Sequence, residues 1–334
     1  MAAPHPTHKL KLLLRREFWE HKGGFFWAPL IAGGIFLVFM TMAWIVGEVI
    51  MRKAMADGQI NIDDEFKING LDLGVLTGRM KPEDFQVWGQ GLDLSLVGAM
   101  SWPLMVLGFV VFFYCLGALY DERKDRSVLF WKSLPVSDRD TVVSKALSAL
   151  FVAPGIALVA GIATMFGLLL LASVIVLVHG GNPYTLLWGP GSPLKVVLNV
   201  LMSIPVYALW ALPTVGWLML CSVWARSKPF LWAVMIPVFA GIFVAWFDIM
   251  NLFNLDTLWF WKNIVARSLG SVFPGMWMTE MDLSHINGKE ELDQLFSLST
   301  MYSVFKTPNI WVGAVAGIAM IFGAIRLRRW RDDN

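Results

Sequence analysis

The chain has 334 residues, 57% of them hydrophobic and only 16% charged, with a mean hydropathy of +0.60. An ordinary soluble domain carries roughly 25% charged residues, so this composition excludes a water-soluble globular protein and leaves no room for a second soluble domain of ordinary size. The net charge of +2 gives no argument for a nucleic-acid partner, and none is expected.

From His8 to Lys22 the residues Leu10, Leu13, Leu14 and Phe18 recur at helical spacing, with Lys9, Lys11, Arg15, Arg16, Glu20 and Lys22 around the remainder. That pattern predicts an amphipathic helix (8–22) lying in a membrane interface, its basic side chains favoured by anionic lipids. About 24 residues precede the first long apolar run, which is too long for a signal-peptide core and lacks a small-residue cleavage pattern, so no cleaved leader is expected. Gly23-Gly24 is predicted to break the helix before a first span over 25–47. The segment 48–93 carries nine acidic residues against five basic ones and predicts a small, partly helical cap. Its run Asp63-Asp64-Glu65 lacks the alternating ligands and glycine of a calcium loop and reads as a solvated face. A second span is predicted over 94–119, containing Pro103.

The charged stretch 120–139 follows. Ser137 and Asp140 fit the S-x-x-D spacing of a helix start, opening a third span over 140–178. Glycine and proline fill His179–Lys195, with Tyr184 and Trp188 at interface depth. The fourth span, 196–223, holds Pro205 and Pro213, which bend a helix and free backbone carbonyls for neighbours to satisfy. A tight turn leads to a fifth span over 230–247. A second polar segment occupies 251–308, and a sixth span, 309–325, ends in Arg326, Arg328, Arg329 and Arg331. Each span approaches or exceeds the roughly 20 residues needed to cross a bilayer core. Both cysteines, Cys115 and Cys221, fall inside spans and are expected to stay free. The predicted fold class is therefore an all-α polytopic membrane protein of six transmembrane helices in one domain.

Six spans put both termini on one side. That side, with the 120–145 loop and the turn after the fourth span, collects 17 of the 27 Lys and Arg residues. The positive-inside rule then predicts cytoplasmic termini, with 48–93 and 251–308 outside.

Catalytic signatures are sparse. The chain contains no G-x-x-x-x-G-K-[ST], no H-E-x-x-H and no G-x-S-x-G, and its five histidines are dispersed. No cofactor or metal is expected in this chain, nor an enzymatic activity of its own. The spans are nearly free of ionisable residues, with Glu48 and Asp248 at outer ends, which counts against a proton-coupled carrier. Asn199, Ser203, Thr214 and Asn251 are expected to bond between helices. A lipid-like path lined by Trp210, Trp217, Met219 and Trp246 is a costlier alternative to tryptophans acting as interface anchors.

The elbow-like start R-R-E-F-W-E-H-K-G-G, the six spans, the acidic outer segment, and Y-D-E-R-K-D-R-S-V-L-F-W-K-S-L-P-V-S-D between the second and third spans resemble bacterial ABC type-2 exporter permeases. The resemblance implies a multi-pass subunit of a bacterial inner membrane. It further implies a second permease chain, identical or not, and two copies of a separate ATPase subunit that holds ATP and Mg. In that family the elbow helix, here with Arg15, Arg16, Glu17, Phe18 and Trp19, and the loop between spans two and three pack on the ATPase. The residues fit such docking: Val128, Leu129, Phe130, Trp131 and Leu134 form an apolar knot. Tyr120, Asp121, Glu122, Arg123, Lys124, Asp125 and Arg126 form a mostly charged rim beside it. Membrane lipids are the remaining partners. Two other readings stay open: a membrane-embedded lipid-modifying enzyme, which needs a converging polar cluster, and an energy-independent carrier, which needs polar residues repeated along several spans. The transported substrate is not legible.

Overall fold

The structure, a computed structural model, describes residues 6–57, 73–125, 136–250, 256–281 and 297–331. All regular structure among the described residues is helical. Six helical stretches are long and apolar enough to cross a membrane: Gly23–Ala56, Pro82–Lys124, Asp138–Val178, Tyr184–Trp224, Pro229–Ile249 and Pro308–Trp330. Their outward faces stay apolar, with Phe39, Val159, Leu170 and Val312 all exposed, as lipid in place of water permits. The chain is an all-α polytopic membrane protein.

Two sets of spans build the bundle. The fourth and sixth lie side by side in the most extensive contact, and the first, second and third form a second group that meets them through the second and third. The close approach of the fourth and sixth depends on Gly216 and Gly317, where an added Cβ would strike the facing helix's backbone. Small residues at such crossings are the usual means of packing helices in lipid. The fifth span lies at the periphery, most of its surface outward.

Several boundaries differ from expectation. Gly23-Gly24 does not break the chain: Gly23–Trp27 forms a π-helical turn leading directly into Ala28–Ala56, and Phe25 N–H donates to His21 O at 3.0 Å. The second span begins near Pro82, twelve residues before the predicted start, because Pro82 at the first helical position and Asp84 bonding back to Lys81 N–H open a helix in polar sequence. Pro205 opens a new helix after a break at Ser203, so the fourth span is Tyr184–Trp188, Pro193–Met202 and Ile204–Trp224 in succession. Ser137 does cap the third span, accepting from Asp140 N–H at 3.1 Å. Both cysteines are free and buried.

Within the second polar segment, residues 256–281 pack against the fourth, fifth and sixth spans. Val272 and Trp277 are buried, Tyr207 Oη donates to Val272 O at 3.1 Å, and Trp261 and Val265 pack on Gly241 of the fifth span.

Candidate functional site

At the end of the bundle that carries both termini, four charged side chains meet in the interior. Glu17 comes from the amphipathic helix Pro6–Glu20, Glu122 from the end of the second span, Lys145 from the first turns of the third and Arg328 from the end of the sixth. Each is at least nine-tenths buried. Lys145 Nζ lies 2.9 Å from Glu17 Oε1 and 3.1 Å from Glu122 Oε1, and Arg328 Nη1 lies 2.9 Å from Glu122 Oε2. Tyr114 Oη donates to Glu17 Oε2 at 2.8 Å, and Arg328 Nε reaches Asp138 Oδ1 at 3.2 Å. Two buried carboxylates thus face two buried cations. Such a cluster is tolerable in a low-dielectric interior only with this balance and geometry.

Sequence patterns did not reveal this network, since its ion pairs join residues 23 (Glu122–Lys145), 128 (Glu17–Lys145) and 206 (Glu122–Arg328) positions apart, with no common period. One signal was present. Glu17 follows Leu13 by four residues and so sits on the apolar stripe of its helix, where a charge needs a buried partner.

The proposed docking residues divide. Asp121, Lys124 and Asp125 are exposed. Glu122 does not form part of an outer rim, because it is consumed in the ion network. Arg123 also turns inward, its Nη2 donating to Ser222 O at 2.6 Å and Ala225 O at 2.9 Å, with Tyr120 beneath its guanidinium. Ser222 Oγ accepts from Leu119 and Tyr120 N–H at 3.1 and 2.9 Å, so the start of the loop is stapled to the fourth span. Arg126, Val128, Leu129, Phe130, Trp131 and Leu134 lie outside the described residues. Of the elbow residues, Arg15 and Trp19 are exposed, Phe18 packs on the core, and Arg16 approaches Glu20 at 3.3 Å and Glu122 at 3.6 Å.

The opposite half holds a third buried cation. Arg267, in segment 256–281, stacks over the Trp210 ring at 4.0 Å, donates to Asn309 O and rests against Gly313. Thr214 Oγ1 donates to Arg267 O at 2.7 Å and accepts from Ser271 N–H at 3.0 Å, the bonding between elements expected of it. Asn251 lies outside the described residues. Lys262 and Asn309 each reach Glu280 at 2.8 Å.

Two cavities lie between the spans. One, about 580 Å³, lies between the second span, the fourth span and the loop Phe273–Met278. The other, about 870 Å³, lies between the first three spans and the helix Leu73–Arg79. Neither is lined by Trp210, Trp217, Met219 or Trp246. Trp210 and Met219 are in the core, Trp217 Nε1 donates to Ala233 O, and Trp246 faces outward, so these four form no common path.

No family model, curated protein or solved structure matches this chain.

Proposed function

We propose that this chain is the membrane-embedded permease subunit of an ATP-driven exporter of the ABC type-2 kind. The end carrying both termini would face the cytoplasm of a bacterial cell, and a separate ATPase subunit would dock around residues 120–135. A second permease chain would complete the pore. The observation that carries this reading is the stapling of segment 119–125. Arg123 and Ser222 tie it to the fourth span, Glu122 ties it to the third and sixth, and through Lys145 the amphipathic helix joins the same cluster. A force applied to this segment therefore reaches four helices through short, buried bonds, which is what an energy-transmitting contact requires.

The exposed charges Asp121, Lys124 and Asp125 remain as the surface that sets register with a partner. The test is purification of the full chain from its native membrane, with identification of companions and assay of ATP hydrolysis. Co-purification with a P-loop ATPase, and loss of hydrolysis on Lys124→Glu/Asp125→Lys with the permease still folded, is the expected result. A chain that transports alone, without nucleotide, contradicts the proposal.

A further inference from the structure

The 580 Å³ cavity between the second and fourth spans is a groove. Its lining on the second span runs from Gln90 to Phe109, twenty helical residues, or about 28 Å over nineteen rises of 1.5 Å. That is close to the roughly 30 Å thickness of a bilayer's hydrocarbon core. Most of the lining is apolar, and Leu94, Met105 and Phe109 are each about half exposed at 45–56%, so the groove opens sideways on the face that meets lipid. Against this apolar wall stand a few polar groups. Trp277 is 4% exposed, lines the groove, and its indole N–H has no partner among the described residues. Gln90 and Asn199 line it too, beside Asp93, Lys195 and Tyr207. A buried donor left unpaired costs roughly 1–3 kcal/mol, and an otherwise apolar cleft with a few polar groups is the usual form of a ligand site.

We propose that this groove binds a glycerolipid. One acyl chain lies along Val97, Leu104 and Phe109, and the ester or headgroup oxygens accept from Trp277 Nε1 and from the amides of Gln90 and Asn199. A long, laterally open apolar slot suits a chain entering from the bilayer, and N–H donors on its wall suit carbonyl or phosphoryl oxygens. The inference rests on the chain being embedded in a membrane and not on the ATPase partner.

The test uses the full chain in vesicles of phosphatidylethanolamine and phosphatidylglycerol, containing phosphatidylethanolamine with a diazirine in one acyl chain. After illumination, labelled residues are mapped by mass spectrometry. Labelling concentrated on 97–109 and 273–278, saturable by unlabelled lipid, is expected. It should fall at least fivefold in Val97→Trp, which fills the groove, while labelling at the outward Phe39 and Val159 stays constant. Trp277→Phe keeps the ring but removes the donor and should weaken binding about two- to tenfold, with the melting temperature held. If Val97→Trp fails to fold, the Trp277→Phe comparison decides alone. Groove labelling no stronger than at Phe39, labelling insensitive to Trp277→Phe, or cross-links from the groove to a second copy of the chain would each overturn the proposal.

Discussion

Lys145 has 1% of its surface exposed and two carboxylates within 3.1 Å. Removing a member of a buried ion cluster strands its partners, at a typical cost of about 3–5 kcal/mol. Lys145→Met should therefore lower stability by about that much in a denaturation experiment in detergent. Adding Glu17→Gln should recover part of the loss, because one stranded charge is then neutral. Equal losses in the single and double variants would mean that the network is not coupled. At the opposite end, Glu280 gives a prediction in pH. Burial works to raise its pKa, but hydrogen bonds from Lys262 and Asn309, with the positive charges of Lys262 and Arg267, outweigh it and hold the carboxyl below its ordinary value of 4.5. A lowered folded-state pKa means that the stabilisation is present above the unfolded value and is lost as pH falls through the folded one. Hydrogen exchange in 257–281, corrected for its intrinsic rate, should rise as pH drops below about 4.5, and Glu280→Gln should remove that dependence. At this scale the Ser137 cap was legible, because capping is a local pattern. Buried charge pairing across the chain follows no period, so only the misplaced Glu17 hinted at it.

Element positions were legible wherever a helix crosses lipid, since the bilayer imposes about 20 apolar residues on each span. Segment 256–281 escaped notice for the same reason. It is short and broken, and it carries Lys262, which is half exposed, Arg267, which stacks on Trp210 with Nε and Nη2 unpartnered among the described residues, and Glu280, which bonds Lys262 and Asn309. Non-helical and polar backbone within a membrane is tolerated only when buried in protein. The helix extension to Pro82 escaped because its first turns are polar. Glycine roles, by contrast, emerge only from packing. Gly317 abuts the backbone of Leu212 and Pro213, whereas a Cβ at Gly34 would meet nothing within 4 Å. Gly317→Ala should cost about 1–3 kcal/mol through overpacking. Gly34→Ala should be neutral, or stabilising by roughly 0.5–1 kcal/mol from helix propensity. Matched melting curves in one detergent distinguish them, and equal shifts would mean that the fourth and sixth spans do not cross closely there.

For the whole molecule, an even number of spans places both termini, the 119–125 segment and the Ala225–Lys228 turn at one end, joined by a buried network rather than by loops alone. The other end is built differently, with segment 256–281 packed against the fourth, fifth and sixth spans. We propose that an ATPase docks at the termini end. The most direct measurement places a photo-crosslinking residue at Lys124 in one variant and at Lys195 in another, both exposed and in opposite halves, and identifies the captured proteins in the native membrane. Capture of a P-loop ATPase is expected from position 124 and not from 195. Capture from 195 alone, or from neither position while the chain still transports, would contradict the proposal.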